Sequence, residues 1–199
     1  DDVGIISFRS LSEVIRLFEN EESTLKINSN EKDLYFFNDK YFASLRKVEG
    51  SFPEYQNLFP KETLFTAEVN KNEILECLDR STVVAEGYIP VTFIFENNDL
   101  LKITTLNKDV GGGNEELKVK ILGVETGDID GFQMSFNPSF LIQGIEVLEG
   151  NKAYFRFSGN EKPVVIQGDS ENYKYLLMPV RASWTKILDP KKLTLKKII

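Results

Sequence analysis

The strongest constraint on the fold is a repeat. One plan recurs three times along the chain: a short strand, a capped helix, then a hairpin with an asparagine-rich turn. The helices open near residues 10, 70 and 137. Repetition of this kind fixes the supersecondary unit before any single residue is interpreted.

In the first copy a strand is expected near Gly4–Phe8. A helix follows, opened by Ser10-Leu11-Ser12-Glu13 as a capping box, with Leu11, Val14, Ile15 and Phe18 on one apolar face. The hairpin uses Thr24–Asn28, a turn at Ser29–Lys32, and Leu34–Phe37. In the second copy Phe65, Ala67 and Val69 alternate with Thr66 and Glu68, Asn70 caps a helix with Glu73 behind it, and Ile74, Cys77 and Leu78 form the apolar face. Val91–Phe95, a turn at Asn97-Asn98-Asp99 and Leu101–Ile103 make its hairpin. The third copy has a strand near Phe132–Phe136, the cap pair Asn137-Pro138, and an apolar face of Leu141, Gly144, Ile145 and Leu148. Its hairpin is Tyr154–Phe157 and Val164–Ile166. A further strand closes each copy: Tyr41–Arg46, Leu117–Ile121 and Tyr175–Val180. The unit is β-α-β-β-β. The expected class is α+β, with helices packed on one face of antiparallel sheets.

Composition narrows function. The chain has 199 residues, of which 41% are hydrophobic and 15 are phenylalanine, enough for a sizeable core. It carries 31 acidic and 24 basic residues, a net charge of −7, which argues against tight binding driven by nucleic-acid phosphates. One cysteine, Cys77, excludes an internal disulfide. With no histidine, the usual zinc sites and hydrolytic triads are excluded, so no catalytic residue, metal or cofactor is expected. No apolar run approaches the roughly 18 residues of a membrane span, and Asp1-Asp2-Val3-Gly4 is not a signal-peptide start. A soluble cytoplasmic protein is expected. Gly111-Gly112-Gly113 lacks the Gly-Lys-Ser/Thr of a phosphate loop and reads as a flexible connection.

Three short stretches carry a resemblance. Gly50-Ser51-Phe52-Pro53-Glu54-Tyr55-Gln56-Asn57-Leu58-Phe59-Pro60 is similar to an interdomain linker of the bacterial DNA polymerase III beta subunit family, the sliding clamps. Ser135–Leu141 resembles the opening of that family's last helix, and Tyr175–Arg181 its C-terminal Tyr-x-x-Met-Pro-x-Arg. The resemblance implies the clamp fold, in which two units make a domain, three domains a protomer and two protomers a DNA-encircling ring. It implies the second half of a second domain over 1–56, a linker over 57–62, a third domain over 63–182 and an atypical tail over 183–199. The tail carries lysines at 186, 191, 192, 196 and 197.

The resemblance also implies roles. Partner peptides would sit against Pro53, Asn57, Leu58, Ile89, Asn137, Phe140, Val164, Leu176, Leu177, Met178, Pro179, Val180 and Arg181. Asn57 and Phe140 depart from the family's commoner arginine and tyrosine. Arg9, with Arg16, Lys71 and Arg80 as weaker candidates, would face DNA. Val83, Val84, Leu117 and Val119 would lie at the ring interface. Implied partners are double-stranded DNA, the polymerase III catalytic subunit, the clamp loader and other proteins carrying a clamp-binding motif, with a homodimeric ring in the full-length form and no membrane. The alternative is a self-associating interaction module that keeps the repeat without a ring function.

Overall fold

A computed structural model describes residues 4–83, 89–107, 111–123 and 129–181. The chain divides into two compact units, Asp1–Tyr55 and Gln56–Ile199.

The first unit is one copy of the repeat. Helix α1 (Phe8–Phe18) is followed by β1 (Lys26–Ser29), β2 (Asp33–Phe37) and β3 (Phe42–Arg46), an antiparallel sheet in that order. Val14, Leu34 and Phe36 form its small core, with Ile6, Leu11, Phe18, Ala43 and Leu45 packed around them. The helix starts earlier than the Ser10 box suggests. Ser7 is the cap, its hydroxyl accepting from the Ser10 amide at 3.1 Å. Ile15, expected on the buried face, is exposed. The expected leading strand is reduced to one bridge, Ile5 to Val48.

The second unit holds two copies. The first comprises β4 (Phe65–Asn70), α2 (Lys71–Val83), β5 (Val91–Glu96), β6 (Leu100–Asn107) and β7 (Gly111–Lys118). A short β8 (Lys120–Leu122) leads to the second, which comprises β9 (Gln133–Phe136), α3 (Pro138–Glu146), β10 (Lys152–Phe157), β11 (Val164–Gln167) and β12 (Lys174–Leu177). Both helices are capped as the sequence implies. Asn70 Oδ1 accepts from the amides of Asn72 and Glu73 at 2.9 and 3.2 Å, and Asn137 Oδ1 from Ser139 at 3.0 Å.

The two copies exchange their leading strands. One sheet runs β12-β11-β10-β4-β8 and the other β7-β6-β5-β9. Thus β4 pairs with β10 of the other copy, Phe65 opposite Phe157, and β9 pairs with β5, Val91 opposite Phe136. The helices α2 and α3 pack against each other, and each also packs on its own copy's strands. Alternation along β4 and β5 points Phe65, Ala67, Val69, Val91, Phe93 and Phe95 inward. A phenylalanine cluster fills the centre, with ring centroids 4.9 Å apart for Phe65–Phe157, 5.1 Å for Phe65–Phe95 and 5.3 Å for Phe95–Phe157.

Two strand expectations need correction. Gly111-Gly112-Gly113 is not a loose connection. It begins β7, pairing with Asn107, Leu106 and Thr105 of β6. The expected strand Leu117–Ile121 is two strands in different sheets, because the chain leaves β6 after Lys118 and joins β4 at Lys120.

Replacing Phe157 with alanine removes the hub of the aromatic cluster. Chemical denaturation of the second unit's transition is expected to show a loss of about 3–5 kcal/mol. Phe8→Ala, at an 85% exposed position, is expected to change stability by no more than about 0.5 kcal/mol.

Candidate functional site

An open groove of ≈ 380 Å³ lies in the second unit, between the start of α3 and the end of β12. It is lined by Asn137, Phe140, Tyr175, Leu176, Leu177, Met178, Pro179 and Val180. The strand expected over Tyr175–Val180 stops at Leu177. Beyond it Met178-Pro179-Val180 crosses toward the other sheet, and the Val180 amide donates to the Ser135 carbonyl of β9 at 2.8 Å. Proline contributes no donor there, which suits a segment leaving a ladder. The groove therefore sits where the edge strands β12 and β9 of the two sheets are tied together.

Its chemistry is apolar with one polar end. Asn137 is nearly buried and caps α3, while Phe140 and Met178 stand 51% and 57% exposed on the rim. Leu177 shows only its surface to the groove, being 6% exposed. Tyr175 adds a ring wall, and burial pushes its phenol above the ordinary value of 10.0, so it stays neutral at physiological pH. A thioether and a ring standing exposed beside packed aliphatics can capture large apolar side chains.

Seven of the thirteen residues expected to hold a partner peptide line this groove: Asn137, Phe140, Leu176, Leu177, Met178, Pro179 and Val180. Val164 does not, since its side chain is wholly inside the core opposite Leu177. Arg181 is exposed at the end of the described chain and Ile89 is half-buried; neither lines the groove. Asn57 and Leu58 lie in a 3-10 turn, Tyr55–Leu58, with Leu58 exposed, and Pro53 belongs to the first unit. Tyr175 is the lining residue that the expected set omits. The sequence signal for it is the alternation in β12, which puts Tyr175 on the same strand face as Leu177.

The basic residues expected to face DNA are differently placed. Lys71 reaches across to α3, donating to the carbonyls of Glu146 and Leu148 at 2.9 and 2.6 Å, where it completes the helix C-terminus. Arg80 donates through Nε and Nη2 to one oxygen of Glu115, at 3.1 and 2.8 Å, and lies 3.7 Å from Glu76. Arg16 pairs with Glu13 at 3.3 Å on the exposed face of α1, and Arg9 is exposed near that helix's start. The exposed face of α2 also carries Glu73, Glu76 and Asp79.

A family profile described as DNA polymerase III beta subunit, C-terminal domain, matches residues 56–181. The chain belongs to this beta sliding clamp family. Among curated relatives, the beta sliding clamp of Streptomyces coelicolor is 31% identical over 148 residues, covering 71% of this chain and 38% of that protein. That of Lactococcus lactis is 26% identical over 187 residues, covering 90% and 47%. The chain thus spans less than half the length of these relatives. Among solved structures, Caulobacter crescentus pol III beta superposes with a TM-score of 0.81 at 23% identity, over 90% of this chain and 47% of that one. The Thermotoga maritima beta subunit gives 0.80 at 23% identity, over 89% and 47%. A Pseudomonas aeruginosa sliding clamp bound to griselimycin gives 0.78 at 20%, over 89% and 47%. These structures share the α+β clamp fold.

Of the residues expected at a clamp ring interface, Leu117 and Val119 have side chains buried in the unit's own core. What this clamp-family chain offers beyond β6 is the backbone edge of β7. Val83 ends α2, and Val84 lies outside the described residues, as does the tail beyond Arg181. No helix among the described residues is long and apolar enough to cross a membrane. Cys77 is buried on the inner face of α2.

The Arg80–Glu115 contact predicts a pH signature. Hydrogen bonds from Arg80 hold the Glu115 carboxyl below the ordinary 4.5. A lowered folded value gives stabilisation that is fully present above 4.5 and is lost as pH falls through the lowered value. Denaturation of the wild-type chain and of Arg80→Leu should therefore differ at neutral pH and converge in acid, and the Glu115 side-chain titration should move up in the variant.

Proposed function

We propose that this chain is the partner-binding C-terminal part of a DNA sliding clamp, a processivity factor of the bacterial replicative polymerase with no catalysis of its own. The observation that supports it most directly is the apolar groove beside α3, built from the Asn137–Phe140 and Tyr175–Val180 stretches that resemble the family's. In this reading residues 1–56 are the second half of a second domain, 57–62 a linker, 63–182 the third domain and 183–199 an appended tail. The occupant of the groove is a short peptide with large apolar side chains, carried by the polymerase III catalytic subunit, the clamp loader or another replication protein in the cytoplasm. Asn57, Leu58 and Arg181 of the second unit would complete the site in the full-length homodimeric ring.

DNA enters this reading through topology. The groove is uncharged, the chain is acidic, and Lys71 and Arg80 already have protein partners. Encirclement needs few direct phosphate contacts, and Arg9 and Arg16 are the exposed candidates for them.

A labelled peptide with glutamine followed by a Leu-Phe pair tests the reading by fluorescence anisotropy. Binding is expected for the wild-type chain, and Met178→Lys should weaken it about tenfold or more, because a charge would enter the apolar rim. Equal affinity for both proteins would sink the assignment. Duplex DNA in the same assay at 0.15 M salt should give little or no signal.

A second reading has its own observation. In the first unit β1 pairs with β2 alone among the described residues, all four of its residues are exposed, and Ile27 and Ile15 are exposed apolar side chains. In the second unit the equivalent strands β5 and β10 are covered by the other copy's leading strand. A second chain could cover β1 in the same way, giving a self-associating module. Light scattering on the 199-residue chain separates the cases: a concentration-dependent dimer that Ile27→Lys abolishes supports self-association, and a monomer at all concentrations excludes it.

A further inference from the structure

Gly144 stands out among the helical residues of the second unit. It lies in the second turn of α3, fully inside, with Tyr175 of β12 directly against it. A methyl group added at Gly144 would collide with the Tyr175 ring, clashing with Cδ1 and lying 2.5 Å from Cε1 and 2.9 Å from Cγ. The contact is with the stem and near edge of the ring, which cannot flex away as a chain end could. Glycine is also a poor helix former compared with alanine, so helix propensity alone would favour alanine here.

The same ring is a wall of the groove. Tyr175 is half-buried, it packs against the main core, and its cross-strand neighbour Ile166 is wholly buried. One side of the ring is thus closed by packed core, one by the bare backbone of α3, and the remaining side is the groove.

We propose that Gly144 is a positioning residue for the groove: its missing side chain lets the Tyr175 ring lie flush on α3, and that placement sets how deep an apolar side chain of a bound peptide can enter. The inference rests on the peptide-groove reading above and deepens it. A side chain at Gly144 leaves the ring one open direction. The core behind it is close-packed and cannot yield a ring's thickness, so the ring turns into the groove and occupies the space of the ligand. The depth of the site is then set by a residue that does not itself line it.

The test uses the whole 199-residue chain, the labelled Gln/Leu-Phe peptide, and three variants: Gly144→Ala, Tyr175→Leu and the double. Gly144→Ala is expected to weaken the peptide about tenfold, the loss typical of a blocked anchor pocket, while the protein stays folded by circular dichroism. Tyr175→Leu keeps an apolar wall and should lose less. The decisive result is the double variant, which should bind like Tyr175→Leu alone, because no ring remains to be displaced. A purely structural role for Gly144 would not give this rescue. The inference is overturned if Gly144→Ala binds like wild type, or if the two losses simply add. NMR supplies a readout without peptide: cross-peaks between Gly144 Hα and the Tyr175 ring protons must be present in the wild type, and their absence overturns the geometry. No peptide binding by wild type with those cross-peaks present would overturn the groove reading and this inference with it. Binding by wild type without rescue in the double variant would overturn this inference alone.

Discussion

The arrangement on which everything else in the second unit depends is the exchange of leading strands. β4 belongs to the first copy by sequence and to the second copy's sheet by hydrogen bonding, and β9 is its mirror case. Neither copy has a complete sheet without the other. The exchange also brings α2 and α3 side by side, and the core they share is one continuous cluster from Phe65 to Leu177. Lys71 reinforces the pairing from the start of α2 by donating to the carbonyls of Glu146, the last residue of α3, and of Leu148 just beyond it. A repeat arranged this way is stable as a pair and incomplete alone, which accounts for the contrast with the first unit. Its three-residue core and exposed β1 are what one copy looks like without an exchanged strand.

The groove is a consequence of that exchange. β9 joins the four-stranded sheet at one edge, and β12 ends the five-stranded sheet at another. The chain leaving β12 must cross from one to the other, and the Val180–Ser135 hydrogen bond fixes the crossing. Met178 and Pro179 lie between these ties, Met178 exposed and Pro179 half-buried. The start of α3, set by the Asn137 cap, forms the facing wall. The walls of the groove are thus two sheet edges and a helix end, with Met178 and Phe140 exposed on the rim.

Much of this was legible in the sequence, and the failures have physical causes. The caps at Asn70 and Asn137 were readable because the side-chain acceptor lies next to the amides it serves, and the inward faces of α2 and α3 were readable because helical spacing alone determines them. The first helix starts earlier than expected because Ser7 and Ser10 are both competent caps; the structure uses Ser7, which accepts from the Ser10 amide and donates its own hydroxyl to Ser10 Oγ. The glycine triplet was misread because glycine disfavours strands on average, whereas here it sits at the end of an edge strand, with Gly113 against the Thr105 hydroxyl. Val164, expected against the peptide, lies in the core, and Tyr175, outside the expected set, lines the groove. Both differences are about depth. Periodicity tells which face a residue takes, but how far it lies from solvent depends on what packs over it, and for Tyr175 that is Gly144, on a different element.

Charge follows the same logic of prior commitment. An exposed lysine or arginine on a helix is available to a phosphate only if nothing nearby holds it more tightly. Lys71 donates to the Glu146 and Leu148 carbonyls at the end of α3, and Arg80 meets a carboxylate that its own hydrogen bonds keep ionised. Releasing either for DNA would leave two carbonyls or a carboxylate without its donor, a cost that offsets much of the gain from a screened phosphate contact. In the proposed clamp these helix faces are therefore not a high-affinity DNA surface, and the surrounding Glu73, Glu76 and Asp79 push the balance further the same way. In the proposed clamp this is an advantage. A ring that must slide cannot bind strongly at each phosphate, so structural commitments that neutralise its inner cations favour movement while closure of the ring prevents escape.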